Sequence, residues 1–321
     1  MGTELVSVII PAFNAERYIR NTLRSVSAQT HRELDVIVVD DGSTDSTRDI
    51  LSDHGRSDPR VRLLSQPNLG AAAARNYALS HARGPYLAPI DADDLWHPRK
   101  IERQLEILRQ GGPGIGVVYC WTCVIDETGS VIAYKRPGPP GDQAFLQLMT
   151  SNFVGCASVP LMRTDAVLTA GGYDASLRRA GAEGCEDYCL YLKLVESRRF
   201  ALVPEFLVGY RQAAGSMSAN VFRMQRSHKL MMRDVARRHP EVPRHVIKTS
   251  HRRMGLWLMS NCLRNRRIWS LLGLATGVAR QDPLFLIRTD TWRYMLRSFG
   301  VLVDAPDPSS NAPPLGSRFP P

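Results

Sequence analysis

The sequence predicts an α/β fold built on an open, mostly parallel twisted sheet with flanking helices. The first observation is a pair of continuous β-branched runs at residues 6–11 and 35–39, a pattern typical of strands buried on both faces. The second is the segment between them, where Tyr18, Leu23 and Val26 have helical spacing. Strand and helix continue to alternate beyond this point, which favours a parallel sheet with helices on both sides.

The remaining elements follow in order along the chain. The apolar pattern predicts helices over residues 15–30, 46–53, 68–82 and 98–110. It predicts further strands at residues 61–64, 86–90 and 116–125, the last of which ends in a turn at 126–129. A Pro/Gly-rich loop is expected at 136–141, and helices at 161–170, at 186–197 and from residue 221 onward.

The positive charge is concentrated in the C-terminal third of the chain. The formal net charge is +10, and residues 211–321 hold 19 Lys and Arg against 6 Asp and Glu. The last residues are so rich in Pro, Ser and Gly that disorder is expected there. The predicted organisation is a domain over residues 1–218, with halves at about 1–110 and 111–218, a basic helical region over 219–303 and a disordered tail over 304–321.

The basic region indicates an anionic partner, or the solvated face of ordinary helices. Aromatic and basic residues do not alternate as they do in single-strand binding surfaces, so nucleic acid is not expected as a partner. Trp257, Trp269, Trp292 and Tyr294 lie among the arginines, which favours peripheral contact with an anionic membrane such as the inner face of the plasma membrane. The alternative is a helical cap that packs on the first domain or forms a homodimer.

A cytoplasmic, reducing location is expected. Six cysteines in a chain of 321 residues do not indicate a disulfide framework, and we predict buried, reduced thiols. The alternative is a metal or redox site formed by one of two cysteine pairs, Cys120 with Cys123 or Cys185 with Cys189. The first residues lack the pattern of a signal peptide, and the longest apolar stretch, 268–279, is shorter than the ~20 residues that span a bilayer.

The second predicted strand ends in two acidic residues, Asp40 and Asp41. In open parallel sheets, ligands bind beyond the carboxyl ends of the strands. Carboxylates there can accept hydrogen bonds from a ribose diol or a base N–H. Alternatively, Asp41, Ser43 or Asp45 caps the next helix, and the two roles are compatible.

The fourth strand ends in the most informative cluster, where Asp91, Asp93 and Asp94 occupy three of four positions. Carboxylates this close raise one another's pKa unless a cation neutralises them. Mg²⁺ or Mn²⁺ does so with oxygen ligands and also holds phosphate oxygens. The alternative is a solvated acidic turn before the helix near Pro98. The position at a strand end favours a metal site.

A run of small residues separates the two acidic groups. Residues 70–74 are Gly and Ala, which lets a helix pack closely on the sheet or near a ligand. Arg75 follows and can bind a phosphate with both arms of its guanidinium, or pair with a nearby aspartate as scaffolding. Both readings remain open.

Four segments together resemble glycosyltransferase family 2, whose members have the GT-A fold. They are residues 6–14, 39–45, 68–76 and 91–94, and the resemblance extends over roughly residues 5–218. It implies transfer of a sugar from a nucleotide-diphospho-sugar, a UDP-sugar by default and GDP or dTDP otherwise. It implies nucleotide-binding roles for Pro11, Ala12, Glu16, Asp40, Asp41, Asn68, Arg75, Asp91 and Ala92. Asp91 and Asp93 match the family's Asp-x-Asp motif, in which the second acid binds Mn²⁺ or Mg²⁺.

The same resemblance implies that Asp187, beside Glu186, is the catalytic base. An acceptor hydroxyl must lose its proton as it attacks the anomeric carbon, and a partly desolvated carboxylate can take that proton. In-line displacement inverts the anomeric centre and needs no covalent nucleophile. The acceptor is expected to be a glycan or a lipid-linked glycan. The alternative for these two acids is a favourable position in the first turn of a helix.

One position departs from the family pattern. Members often carry a His two residues after Tyr-Arg that helps to hold the metal or diphosphate, and Ala213 stands there in this chain. A non-catalytic nucleotide-sugar-binding subunit is therefore one alternative. A sugar nucleotidyltransferase is another, although residues 11–16 lack the Gly-rich, basic loop that such enzymes use.

Overall fold

The computed structural model describes residues 4–212, 220–264, 267–281, 285, 291–292 and 311–320. Within these residues there are nine strands and eleven helices. The strands are β1 Val6–Ala12, β2 Leu34–Asp40, β3 Val61–Ser65, β4 Tyr86–Pro89, β5 Leu95–Trp96, β6 Ile115–Ile125, β7 Val131–Lys135, β8 Leu161–Arg163 and β9 Arg199–Arg211. The helices are α1 Ile19–Ser27, α2 Thr47–Ser57, α3 Ala71–Ser80, α4 Lys100–Gln110, α5 Ala144–Thr150, α6 Thr164–Thr169, α7 Ser176–Arg179, α8 Glu186–Val195, α9 Val221–Arg238, α10 Arg244–Arg264 and α11 Ile268–Gln281.

All these strands form one sheet in the order β3-β2-β1-β4-β8-β6-β9-β5, with β7 paired to β6. The half formed by β3, β2, β1 and β4 is entirely parallel, as predicted. Every residue of β2 is buried, and so is every residue of β1 except Pro11, because helices cover both faces. Ala12 lies opposite Asp40, so the two strands end at the same edge. The predicted α/β fold is confirmed.

The other half of the sheet has mixed directions. β8 runs antiparallel to β4 and β6, whereas β9 runs parallel to β6 and antiparallel to β5. The prediction of a helix over residues 161–170 is therefore wrong at its start, because Leu161 and Met162 are buried between two strands and the helix begins only at Thr164. β9 was not predicted at all.

Close packing of α3 on the sheet follows from its small residues. Ala72, Ala74 and Ala78 are buried against the strands. The residue before the helix, Gly70, has φ +92° and lies so close to Arg178 that a Cβ atom would be 2.6 Å from its guanidinium. A residue with a side chain would be strained in this backbone conformation, and the side chains of Arg178 and Glu183 would have to move to make room for it. This geometry holds the start of α3 at the same edge as the ends of β1 and β2.

The prediction of a disordered tail is wrong for residues 311–320. This segment pairs with the turn before β7: the Val131 amide donates to the Ser317 carbonyl (2.9 Å), and the Gly316 amide donates to the Val131 carbonyl (2.8 Å). Phe319 is 2% exposed and belongs to an apolar cluster with Leu95, Cys123, Ile125, Val131 and Phe206. One large apolar side chain thus orders a segment whose composition is otherwise typical of disorder. Residues 304–310 lie outside the described part of the chain.

Replacing Phe319 with Ala is expected to lower the free energy of unfolding by about 3 kcal/mol or more, since it removes a buried aromatic ring and leaves a cavity. Leu315→Ala is the matched control, because Leu315 lies in the same segment and is 50% exposed; its effect should stay within about 0.5 kcal/mol. Urea unfolding of both variants measures the difference. Equal effects would show that Phe319 does not anchor the segment.

Three long helices follow β9. α10 packs on α9, α11 and α5, and α9 meets the start of α8, where the Met224 sulfur lies 3.7 Å from the Cys185 sulfur. All six cysteines are free thiols, four buried and two partly buried. No helix in the described ranges is long and apolar enough to cross a bilayer.

Candidate active site at the strand ends

The loops after β1 and β2 are tied together by hydrogen bonds. Asn14 has a left-handed backbone (φ 46°), and its side-chain oxygen accepts from the Thr44 amide (2.8 Å). Glu16 accepts from the Ser46 amide (3.0 Å), while its own amide donates to Asp45 (3.2 Å). Glu16, predicted to line a nucleotide pocket, therefore fastens one loop to the other in this structure.

Pro11 and Ala12 end the first strand beside the two aspartates of the second. The Ala12 carbonyl accepts from the Asp41 amide (2.7 Å), so these residues are in contact. Asp40 is buried, and its Oδ1 accepts from the Ser43 amide (3.1 Å). Within the described ranges Asp40 Oδ2 accepts no protein hydrogen bond.

Asp41 is bound to the loop that precedes α3. Its carboxylate accepts from Gln66 (2.7 Å) and from the amides of Leu69 and Gly70 (2.8 Å each). The side chain thus orients the approach to α3 rather than capping α2. Asn68, in the same loop, is exposed and accepts from Arg178 (2.7 Å).

Arg75 projects from α3 and ion-pairs with Asp91 at the end of the fourth strand. Its guanidinium is buried and lies 5.4 Å from the centre of the Tyr173 ring. Arg75 Nε and the Tyr173 hydroxyl are both buried, and neither has a hydrogen-bond partner in the described part of the chain. Buried polar atoms normally have partners, so these two atoms are exceptions within the described part of the chain. Arg75 thus pairs with an aspartate in this structure, and its predicted role toward a phosphate stays a prediction.

The aspartates of the cluster at residues 91–94 differ in their surroundings. Asp94 is fully buried and accepts from the Ser158 hydroxyl (2.5 Å) and the Arg211 amide (2.8 Å), so it holds the sheet together. Burial and the neighbouring Asp91 raise the pKa of Asp93 to about 6. Ala92, between them, is half-buried, and its carbonyl accepts from Thr22 (2.9 Å).

Arg211, at the end of β9, positions the loop of Asp93. It donates to the carbonyls of Asp93 (2.7 Å) and Asp126 (2.7 Å). Its guanidinium also lies 4.6 Å from the centre of the Tyr18 ring, whose buried hydroxyl has no partner within the described ranges. Tyr18 was not predicted as a site residue, because it acts through contacts between distant segments that have no local sequence signal.

Asp91 and Asp93 place two carboxylates in the loop after β4, and carboxylate oxygens are donors that divalent cations prefer. Mg²⁺ in phosphate sites is commonly held by one or two carboxylates plus substrate oxygens. The described residues contain no group of three or more Asp, Glu, His or Cys side chains arranged to hold a metal alone. The pKa of Asp93 is raised chiefly by burial and also by Asp91, and Arg211 partly offsets the increase. Ala213, where the family often has His, lies outside the described residues.

Asp187 and Glu186 begin α8 and face the same site. Glu186 is buried and accepts from the Gly184 amide (2.9 Å). Burial raises the pKa of Asp187 to about 7, although the positive charge of Arg75 acts in the opposite direction. Arg75 therefore interacts electrostatically with both Asp187 and Asp91. The structure brings these two predicted site residues together around the Arg75 guanidinium.

An α/β sheet with acids at its strand ends, together with acids at the start of a helix, is the arrangement expected of a glycosyltransferase with the GT-A fold. The chain belongs to glycosyltransferase family 2: the family model described as Glycosyl transferase family 2 matches residues 7–169. It is thus an enzyme of this class.

Two relatives are similar over most of their length. The chain is 30% identical to the putative teichuronic acid biosynthesis glycosyltransferase TuaG of Bacillus subtilis (strain 168), over 73% of this chain and 90% of TuaG. It is 33% identical to WfaP of Escherichia coli, named a UDP-Glc:alpha-D-GlcNAc-diphosphoundecaprenol beta-1,3-glucosyltransferase, over 68% of this chain and 82% of WfaP.

Solved structures share the fold at lower identity. S. aureus TarS 1–349 in complex with UDP-GlcNAc has a TM-score of 0.62 at 17% identity, over 92% of this chain and 80% of that one. The mannosyltransferase PcManGT of Pyrobaculum calidifontis, in complex with GDP-Man and Mn²⁺, has a TM-score of 0.58 at 19% identity, over 92% and 86%.

Proposed function

We propose that this enzyme transfers a sugar from a nucleotide-diphospho-sugar to an acceptor hydroxyl with inversion of the anomeric centre. The observation that carries the proposal is the Arg75 guanidinium, which pairs with Asp91 on the donor side and acts on Asp187 on the acceptor side. The buried positive charge of Arg75 therefore acts on both the proposed diphosphate site and the proposed base.

On the donor side, the nucleotide would lie along the ends of β1 and β2, against Pro11 and Ala12, with Asp40 Oδ2 available to the ribose or base. Asp91 and Asp93 would hold Mn²⁺ or Mg²⁺, which neutralises the charge that develops on the departing diphosphate. Arg75 supplies a further positive charge, and its unpartnered Nε can donate to a donor oxygen.

On the acceptor side, Asp187 takes the proton of the attacking hydroxyl. The acceptor oxygen forms a bond to the anomeric carbon while the bond from that carbon to the diphosphate oxygen breaks. A carboxylate with a pKa of about 7 is well matched to this task near neutral pH, because a base is most effective when its pKa lies near the working pH. Glu186 stays buried and orients the first turn of α8 through Gly184.

UDP is the preferred nucleotide, with GDP or dTDP as alternatives. The name of WfaP specifies a UDP-sugar donor and a lipid diphosphate acceptor, and TarS binds UDP-GlcNAc, which supports a UDP-sugar and a glycan or lipid-linked glycan here. The sugar is expected to be a hexose or an N-acetylhexosamine.

The function is tested by nucleoside diphosphate release from a panel of UDP-, GDP- and dTDP-sugars, with Mn²⁺ or with EDTA. We expect slow release from donors of one nucleotide, abolished by EDTA because the leaving group then lacks its counter-charge. Calorimetric donor binding covers the case of an enzyme that waits for its acceptor. No binding and no release with any donor and metal would contradict the proposal.

A further inference from the structure

An exposed apolar surface extends across the starts of α9 and α11. It is formed by Phe222, Ile268, Trp269 and Leu272, which we call the α9–α11 patch. Trp269 is 86% exposed and Ile268 is 66% exposed, unusual values for such large apolar side chains. Phe222 packs beside Gly273 of α11, so residues of the two helices form one continuous surface.

The surroundings of the patch are strongly basic. The segments of α9, α10 and α11 contain 12 Lys and Arg and a single acid, Asp234. Arg226 on α9 is exposed, and exposed Arg267 precedes Ile268. Arg223, directly after Phe222, is also exposed but is ion-paired with Glu183. Two copies of such a surface would repel each other, whereas an anionic bilayer complements both its charge and its apolar centre.

We propose that the α9–α11 patch docks the enzyme on an anionic membrane surface. Trp and aliphatic side chains enter the boundary between headgroups and acyl chains, and the arginines around them bind the anionic headgroups. The sequence predicted a basic membrane surface with several Trp residues. Of these, Trp269 belongs to the patch, whereas Trp257 is partly buried against the core. Tyr294 lies outside the described residues.

The α9–α11 patch lies close to the helix that carries the candidate base. Arg223, next to Phe222, forms an ion pair with Glu183 (3.0 Å), and Met224 contacts Cys185, the residue directly before Glu186. The membrane-facing surface thus begins beside the first turn of α8. This part of the inference rests on the proposed function: a lipid-linked acceptor held in the bilayer would present its hydroxyl on the side of Asp187.

Flotation with vesicles tests the docking without any donor or acceptor. Wild type, Trp269→Ala/Leu272→Ala and Leu168→Ala are mixed at low salt with phosphatidylcholine vesicles that contain phosphatidylglycerol or lack it. Leu168 is the matched control, since it is 56% exposed on α6 and outside the patch. We expect wild type and Leu168→Ala to float only with anionic vesicles, and the double variant to partition about tenfold more weakly.

Two results would overturn the proposal: wild type that does not float with anionic vesicles, or a double variant that floats as well as wild type. If wild type does not float but forms a dimer, and the double variant does not form that dimer, the patch binds a second copy of the chain instead. Calorimetric donor binding on the same samples shows that the double variant is folded. It also distinguishes failure of the docking proposal from failure of the proposed function. The protein can bind the donor without binding vesicles, and it can bind vesicles without binding the donor.

Discussion

Replacing Asp187 with Asn is expected to lower the rate of sugar transfer by about 10²–10⁴-fold while donor affinity changes little. The amide has nearly the shape of the carboxylate but cannot accept the acceptor's proton. It also leaves the donor side intact, because Arg75 keeps its ion pair with Asp91. The loss should therefore appear in kcat, and KM for the donor should stay close to that of wild type.

The measurement is steady-state transfer over a range of pH. Wild-type activity should fall as the pH drops through about 7, since Asp187 is then protonated and no longer a base. Asp165→Asn is the matched control: Asp165 is an acid on the neighbouring α6 with a 67% exposed side chain, and it should leave the rate unchanged. A variant Asp187→Asn with wild-type kcat would exclude Asp187 as the base.

Replacing Asp93 with Ala is expected to lower kcat/KM by about 10²–10³-fold, since a bound cation contributes several kcal/mol to stabilising the departing diphosphate. The folded structure should tolerate the change. Asp93 is a crowded acid with a raised pKa, whereas Asp94 is the one that accepts hydrogen bonds from Ser158 and Arg211.

Donor titrations with and without Mn²⁺ measure this effect. Wild type should bind the donor more tightly with Mn²⁺, and Asp93→Ala should lose that difference. Asp49→Ala, which removes an exposed acid of α2, is the control and should behave as wild type. An Asp93→Ala variant that keeps metal-dependent binding would place the cation elsewhere.

The parallel half of the sheet could be predicted because its signals are local. β1 and β2 are uninterrupted apolar runs, and each is followed by a helix with regular spacing. Asp40 is the last residue of β2, and Asp91 and Asp93 lie in the loop after β4, so the rule that ligands bind at strand ends located them without knowledge of contacts.

The other half could not be predicted in the same way. β8 has only three residues, and their strand conformation comes from pairing with β4 and β6 rather than from their own preferences. β9 contains Pro204, which weakens a strand signal. The order of residues 311–320 depends on Phe319 meeting a cluster that is distant in the sequence.

Roles within the site were also beyond the sequence pattern. Motif position marks Asp41 and Glu16 for a nucleotide, yet each is engaged by loop backbone amides in this structure. Conversely, Arg211 and Tyr173 lie far from the aspartate motif in the sequence and close to it in the fold. Their positions relative to the aspartates follow from tertiary contacts alone.

The central claim is that one site binds a nucleotide-sugar and that Asp187 removes the acceptor's proton. The most direct test measures donor affinity and turnover side by side in wild type and Asp187→Asn, using the donor that the panel identifies and Mn²⁺. We expect equal affinities and turnover in wild type only. Equal turnover in both proteins, or a donor that binds to neither, would contradict the account.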